Sequence, residues 1–275
     1  MRHQTIKKDL RSFSKEFNPF LKKKFIKDNN TLNQSIKYSI NSGGKRFRPY
    51  LVYIFGKEFQ LPKKIIFNLG SAIEMLHNYS LVHDDLPSMD NDKYRRGKKT
   101  THYKYNEFTA VLAGCGLLTK SYLTIASKKF NLSEGKKIKL IQLLSEFSGE
   151  KGLLLGQYID LSSSNTKIEE RIELNQLKTG MLMSFCCQAV AICAGKSKKI
   201  EKSLADIGMY IGEIFQINDD FEDFPRMSAK NKKYFENYKL KLSEKIFKTF
   251  KKINLKNKKT YLLIEYLLDL SLIHI

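Results

Sequence analysis

Apolar residues recur at helical spacing along most of this chain. Between Ile65 and Leu76, and again between Ile207 and Ile217, apolar side chains stand three or four positions apart. This spacing places them on one face of a helix, where they can be buried together. The pattern therefore predicts an all-α protein.

Short polar or Gly/Pro-containing segments interrupt the helical pattern. With a typical helix length of about 11 residues, the intervals between them predict roughly ten helices. No linker rich in Pro, Gly or Ser divides the 275 residues, so we expect a single domain spanning residues 1–275. The predicted breaks fall at residues 41–44, 61–62, 87, 97, 131–135, 162–165, 195 and 225.

The chain is strongly basic, with 49 Lys and Arg against 28 Asp and Glu and a net charge of +21. Much of the excess lies in a Lys-rich C-terminal region from about residue 225, which we interpret as a solvated surface. No base-reading module accompanies it, so we expect no nucleic-acid partner.

The cysteines and the apolar segments indicate the compartment. The four cysteines show no CxxC spacing, and we interpret them as small buried side chains in a reducing environment. The N-terminus lacks an apolar signal core, and the apolar stretch at residues 181–194 is too short to span a bilayer. We therefore expect a cytoplasmic protein without a membrane span.

The first candidate functional feature is an acidic cluster, HDDLPSMDND, at residues 83–92. His77 and Asp84 lie on one face of the helix that leads into it, and Pro87 ends that helix. We expect the intervening turn to bring Asp90 back towards Asp84. Carboxylates at a helix C-terminus oppose the helix dipole, so this cluster favours a bound cation.

A second acidic cluster, NDDFED, follows at residues 218–223. Asp219 and Asp220 each stand three or four positions from both Gln216 and Asp223, so the four residues form one stripe on a predicted helix with apolar flanks. Carboxylate oxygens without His or Cys partners suit Mg²⁺, whose coordination is usually completed by water and substrate phosphate. The two clusters together predict a Mg²⁺-diphosphate site.

Basic motifs containing glycine supply candidate phosphate contacts. They are GGKRFRP at residues 43–49, YRRGKKT at residues 94–100 and LKTG at residues 177–180. Glycine lets the backbone approach phosphate oxygens, and arginine offers a two-pronged hydrogen-bond donor. Each motif alone is also typical of an ordinary surface turn, so only their combination favours a phosphate-bearing substrate.

With GQYIDL at residues 156–161, these motifs in this order make residues 43–223 resemble the trans-polyprenyl diphosphate synthases. The resemblance implies an isoprenoid-synthase helical bundle around a central cavity, and a homodimer. It also implies Mg²⁺-dependent condensation of isopentenyl diphosphate with dimethylallyl or geranyl diphosphate. The two extra residues in DDLPSMD resemble the bacterial farnesyl diphosphate synthases.

The resemblance also assigns roles to individual residues. It implies Mg²⁺ ligation by Asp84, Asp90 and Asp219, with Asp85, Asp220 and Lys178 completing the catalytic set and Asp223 a further candidate ligand. It implies that the allylic substrate contacts Arg95, Lys178, Thr179 and Gln216, and that isopentenyl diphosphate contacts Lys45, Arg48, His77 and Arg96. Lys232 is the implied match to a further diphosphate-binding lysine.

Product length is expected to depend on Tyr79 and Ser80. Tyr79 lies five residues before Asp84, about 7.5 Å along a helix, where a growing prenyl tail would descend. An aromatic ring there can act as a floor and limit the product to fifteen carbons. An ordinary core position for Tyr79 is the alternative.

The chain also departs from the family pattern. Cys115 stands where the family commonly has Asp, the loop beyond Asp223 is shortened, and Tyr234 and Glu236 replace an expected Thr and Pro. Reduced activity is therefore one open outcome. The alternative functions are geranylgeranyl diphosphate synthase, an HD-type phosphohydrolase built on His83 and Asp84, a non-catalytic helical subunit and a nucleic-acid binder.

Overall fold

The computed structural model describes residues 2–25, 30–162, 168–223 and 227–269. These residues form helices connected by short loops, with one two-stranded hairpin, which confirms the all-α prediction. The helices are α1 (Arg2–Lys22), α2 (Thr31–Asn41), α3 (Phe47–Glu58), α4 (Lys63–Asp84), α5 (Thr101–Lys104), α6 (Glu107–Ala126), α7 (Glu134–Ser148), α8 (Leu153–Ser162), α9 (Ile168–Asn175), α10 (Met181–Cys193), α11 (Lys198–Asp223), α12 (Ala229–Lys252) and α13 (Lys258–Asp269). The hairpin consists of β1 (Tyr94–Arg95) and β2 (Lys98–Lys99), and a π-helix (Gln176–Gly180) joins α9 to α10.

The chain divides into two compact units. The first contains Met1–Lys8, Ile54–Leu61 and Gln142–Ile275, and the second contains Asp9–Tyr53 and Pro62–Ile141. The expectation of one domain over residues 1–275 stays a prediction.

In the second unit, α4 is a core helix that carries the first acidic cluster at its end. Most of its residues are buried, and the buried stretch runs without a break from Ile66 to Leu76. A helix that is buried on every face lies in the interior. It packs against α6, where the Ser121 hydroxyl donates a 2.7 Å hydrogen bond to the carbonyl of Ala72. This packing fixes the position of Asp84.

In the first unit, α10 and α11 pack closely enough that small residues are required between them. A Cβ on Gly208 would come within 2.7 Å of the Ser184 Cα. The Ser184 hydroxyl also donates a 2.9 Å hydrogen bond to the Ala205 carbonyl. The close packing orients α11, whose C-terminal half carries the second acidic cluster.

The Lys-rich region forms α12, and most of its lysines are exposed, as Lys233, Lys241 and Lys248 are. Lys232 is half-buried, and Lys239 is buried and donates a hydrogen bond to Oδ1 of Asn218. The solvated-surface interpretation is therefore confirmed for the exposed face of α12.

Several features differ from the sequence-based expectations. The described helices outnumber the ten expected, because the chain also breaks near Gly149 and Gly152, at the π-helix and near Asn254. The predicted breaks at residues 163–165 and 225 lie outside the described residues. Cys186, Cys187 and Cys193 are buried as predicted, but the prediction is wrong for Cys115, which is exposed on α6.

One described helix, α6, has the length and apolar composition of a membrane span. Within the structure, 44% of its apolar stretch is buried. A core helix of this length meets the same criteria, so α6 is weak evidence for a membrane span.

Candidate functional site

The first acidic cluster begins where α4 ends. Asp84 is the last residue of α4, and the N–H of Asp85 donates back to the carbonyl of Leu81 at 3.1 Å. The chain then turns through Pro87, and the N–H of Asp90 donates to the Asp84 carbonyl at 2.9 Å. The expectation that Asp90 returns to Asp84 is therefore confirmed.

Asp85 holds an arginine of the hairpin. Asp85 is 4% exposed, and its carboxylate accepts a 2.6 Å hydrogen bond from Nε of Arg95, whose guanidinium also contacts Asp92 at 3.1 Å. Burial raises the pKa of Asp85, whereas the Arg95 charge and hydrogen bond act in the opposite direction. Asp85 thus orients Arg95 beside the turn that joins Asp84 to Asp90.

The hairpin displays the two arginines of YRRG through a tight turn. Arg96 and Gly97 both have positive φ, +55° and +72°, as the two central residues of a type I′ turn require. Arg96 donates a 2.8 Å hydrogen bond to the carbonyl of Gly43. Gly44 has φ +113°, and a Cβ there would come within 2.9 Å of the Arg96 guanidinium carbon, so this approach needs glycine. The GGKRFRP and YRRG motifs are therefore brought together.

His77 lies against Arg48, which follows the same glycine loop. The Arg48 guanidinium is 3.2 Å from Nε2 of His77. An arginine can only donate, so Nε2 accepts and the neutral ring carries its proton on Nδ1. Burial and then the charge of Arg48 lower the pKa of His77 well below its ordinary value. The ring therefore orients Arg48 without adding positive charge, and Lys45 is exposed on the same loop.

The proposed chain-length residues lie on α4 next to α6. Tyr79 is 9% exposed, and its ring centroid is 4.7 Å from that of His83. The Ser80 hydroxyl donates to the His77 carbonyl at 3.0 Å. A Cβ on Gly114 would overlap the His83 ring, so glycine at this point of α6 allows the His83 ring to lie there.

The contacts of His83 bear on the phosphohydrolase alternative. Its Nε2 is 3.1 Å from the carbonyl of Val111, an acceptor, so this nitrogen is protonated and donates. A protonated nitrogen cannot ligate a metal. The geometry therefore disfavours His83 and Asp84 as an HD-type ligand pair through Nε2.

In the first unit, the KTG motif forms part of the π-helix. Lys178 forms an ion pair with Asp160 of GQYIDL, and the hydroxyl of Thr179 donates a 2.8 Å hydrogen bond to Oε1 of Gln216. Three motifs that are distant in sequence are therefore linked: GQYIDL, KTG and the helix of the second acidic cluster.

In the second acidic cluster, Asp220 accepts hydrogen bonds from several side chains. It is 4% exposed and accepts hydrogen bonds from Arg171 at 3.1 and 3.2 Å and from the Asn175 amide at 3.2 Å. The Gln216 amide donates to it at 3.4 Å. Asp219 precedes it on α11 and is half-buried, whereas the side chain of Asp223 lies outside the described residues. Asp220 thus resembles Asp85, because each carboxylate is matched by an arginine of its own unit.

Lys232 lies in the first turn of α12, where its N–H donates to the Ser228 carbonyl at 2.9 Å. Helix α12 begins at Ala229, after α11 ends at Asp223, and the shortening of this loop relative to the family stays a prediction. The role of Lys232 in diphosphate binding stays a prediction.

The acidic residues suit Mg²⁺ in their chemistry without forming a closed metal cage. Within the described ranges, no three His, Cys, Asp or Glu side chains are grouped to hold an ion. Mg²⁺ is commonly bound by one or two carboxylates, and substrate phosphates and water complete its shell. The oxygen donors of Asp84 and Asp90, on adjoining backbone, fit that mode.

Several site residues had no clear signal in the sequence. Arg171 and Asn175 lie on α9 before the KTG motif, and neither belongs to a motif that predicts a contact with Asp220. Arg46 lies inside GGKRFRP but is buried and pairs with Glu74 at 2.6 Å. Its position between Lys45 and Arg48 gave no indication of this structural role.

Comparison with known proteins identifies relatives over most of the chain. The polyprenyl synthetase family model matches residues 29–259. A farnesyl diphosphate synthase of Bacillus subtilis is 40% identical over 196 residues, which is 70% of this chain and 66% of that protein. One from Buchnera aphidicola is 38% identical over 239 residues, 84% of each chain.

A geranylgeranyl diphosphate synthase of Cyanophora paradoxa is also similar, at 38% identity over 192 residues, 69% of this chain and 64% of that protein. Among solved structures, a geranyltransferase from Legionella pneumophila matches with a TM-score of 0.87 and 28% identity. That match covers 99% of this chain and 98% of the other. The expected isoprenoid-synthase fold is confirmed.

Proposed function

Since this chain belongs to the polyprenyl synthetase family, we propose that it is a Mg²⁺-dependent farnesyl diphosphate synthase. It would condense isopentenyl diphosphate with dimethylallyl or geranyl diphosphate and release pyrophosphate. The relatives named as farnesyl diphosphate synthases support this product, as does the two-residue enlargement of the first acidic motif.

The observation that carries the proposal is the set of cations assembled around the end of α4. Arg95 is fixed by Asp85, Arg96 by the Gly43 carbonyl, and Arg48 by His77. Fixed cations can bind diphosphate without first paying the cost of ordering long side chains. We assign isopentenyl diphosphate to Lys45, Arg48, His77 and Arg96.

We assign the allylic substrate to Arg95, Lys178, Thr179 and Gln216, and Mg²⁺ ligation to Asp84, Asp90 and Asp219. Bound Mg²⁺ would neutralise the charge that develops on the leaving diphosphate. The allylic C–O bond breaks and its electron pair stays with the diphosphate oxygen. The double bond of isopentenyl diphosphate then forms the new C–C bond at the allylic carbon, and a proton is lost.

Residues of this chain would bind and orient both diphosphates, and apolar helix walls would exclude water from the carbocation. No protein nucleophile is required. We further propose that the protein acts in the cytoplasm as a homodimer and that Tyr79 and Ser80 limit the product to fifteen carbons.

The test is incubation of the purified protein with Mg²⁺, isopentenyl diphosphate and geranyl diphosphate, followed by chromatography of the dephosphorylated products. The expected product is farnesol, and Asp84→Asn and Asp219→Asn should each abolish most of the activity. A predominantly twenty-carbon product would favour the geranylgeranyl alternative. Absence of any prenyl product would refute the family's reaction for this chain.

A further inference from the structure

The π-helix that carries Lys178 and Thr179 is packed against α11 with almost no space between them. A Cβ on Gly212 would lie 2.6 Å from the Cα of Gly180 and 3.2 Å from the Thr179 carbonyl oxygen. Single π-helical turns are rare and frequently occur at functional sites. The position of this π-helical turn therefore depends on the side chains of α11 that face it.

Two polar side chains of α11 fasten the π-helix at its two ends. Gln216 accepts the hydroxyl hydrogen bond of Thr179. Three residues earlier on α11 lies Glu213, and the side chain of Gln176, the first residue of the π-helix, lowers the pKa of its carboxyl group. Residues three apart on a helix share a face, so Glu213 and Gln216 act on the same turn.

Glu213 also contacts α12. The hydroxyl of Tyr238 donates a 2.6 Å hydrogen bond to Oε2 of Glu213. Lys245 supplies a positive charge nearby, and its Nζ lies 5.4 Å from the centroid of the Tyr210 ring. Glu213 is therefore hydrogen-bonded to α12 and also interacts with the first residue of the π-helix.

Burying the charged carboxylate of Glu213 at this position costs free energy. Glu213 is 2% exposed, and burial raises its pKa while the interactions with Tyr238 and Gln176 act in the opposite direction. A well-packed apolar residue often replaces a buried charge with no loss of stability. The helix neighbours Gly212 and Ile214 are apolar or small, so general packing does not explain the carboxylate.

We propose that Glu213 is a positioning residue which links Tyr238 of α12 to Gln176 and so holds the π-helix in place for the allylic substrate. This inference rests on the proposed function, because Lys178 and Thr179 are the residues assigned to that substrate. Through this link α12 also contributes to the site. Its Tyr238 holds the side chain of Glu213 in one conformation, and Glu213 in turn holds the π-helix.

The experiment compares Glu213→Leu, Gln176→Leu and Tyr238→Phe with the unmodified protein. Tyr234→Phe is the matched control, since it removes a hydroxyl from the same helix one turn away, where the ring is 42% exposed. Steady-state kinetics should show kcat/KM for geranyl diphosphate falling about tenfold in Glu213→Leu, since small misplacements of substrate contacts cost activity steeply. KM for isopentenyl diphosphate should change less than about twofold.

Stability and backbone exchange separate positioning from a loss of folding. Glu213→Leu should unfold at the same or a higher urea concentration than the unmodified protein. Hydrogen exchange of the amides at residues 176–180 should accelerate in Glu213→Leu and Tyr238→Phe and stay unchanged in Tyr234→Phe.

The exchange measurement needs no turnover, so it tests the positioning even if the protein makes no prenyl product and the proposed function fails. Unchanged exchange at residues 176–180 in both Glu213→Leu and Tyr238→Phe would overturn the inference. So would a loss of activity that affects both substrates equally and tracks a fall in stability.

Discussion

His77 illustrates how the protonation state of a single residue depends on its neighbours. Its Nε2 accepts from Arg48, and protonation would place two cations in contact at a site with further arginines nearby. The pKa of His77 in the folded state is therefore lowered well below the ordinary value of about 6.5. The His77 ring therefore stays neutral among these arginines.

The lowered pKa predicts a pH dependence of stability. Between the lowered pKa and about 6.5, the unfolded chain binds more protons at His77 than the folded protein does, so stability rises with pH and levels off above about 6.5. Urea unfolding between pH 5 and 8 should show this rise. His77→Gln, which can still accept from Arg48, should lack it, and parallel curves for the two proteins would contradict the assignment.

The ring of Tyr79 is expected to limit the length of the product. Removing the ring in Tyr79→Ala should open space on α4 beside His83 and shift the products beyond fifteen carbons, because the ring is mostly buried there. Tyr79→Phe keeps the ring and should leave the product length unchanged. Chromatography of the prenyl alcohols measures both variants. An unchanged profile in Tyr79→Ala would show that the ring is an ordinary core side chain.

At the scale of elements, the glycine loop before α3 is held by a buried arginine. Arg46 donates to Glu74 of α4 at 2.6 Å, to the Ile40 carbonyl of α2 at 2.7 Å and to Asn18 of α1 at 3.0 Å. Three helices therefore fix the loop that carries Lys45 and leads into Arg48 of α3. Arg46 does this from inside the unit, which explains why it contributes no exposed charge.

The buried pair between Arg46 and Glu74 should contribute far more to stability than the exposed pair between α1 and α4. Glu74→Ala leaves Arg46 buried without its carboxylate and should lower the free energy of unfolding by about 3–5 kcal/mol. Glu16→Ala breaks the exposed pair with Lys63 and should cost less than about 1 kcal/mol. Urea denaturation of the two variants measures the difference, and similar losses would contradict the role given to Arg46.

The sequence predicted helices well where one strong local pattern dominates. The apolar periodicity of α4 and α11 and the stop at Pro87 were enough to place both acidic clusters on helix ends. The π-helix was not predictable, since its turn is set by the packing of Gly180 on Gly212 rather than by local propensity. The contacts of Asp220 depend on Arg171 from another helix, and spacing along one chain segment cannot reveal such a pair.

At the scale of the whole molecule, α6 presents an apolar stripe to solvent. Its exposed members are Phe108 at 68%, Val111 at 39%, Leu112 at 50% and Leu123 at 62%. The first three are spaced by three and one positions and lie on one side of the helix, near the exposed Cys115. Exposed apolar side chains grouped in this way commonly mark an interaction surface.

The proposed homodimer would bury this stripe against a second copy, since a twofold interface uses the same patch on both subunits. Leu112→Glu puts a charge into the stripe and should shift the protein from dimer to monomer in light scattering coupled to size-exclusion chromatography. Leu240→Glu is the matched control, because Leu240 is similarly exposed, at 55%, but lies on the Lys-rich face of α12. If Leu112→Glu stays dimeric, or if Leu240→Glu dissociates instead, the dimer does not form through α6.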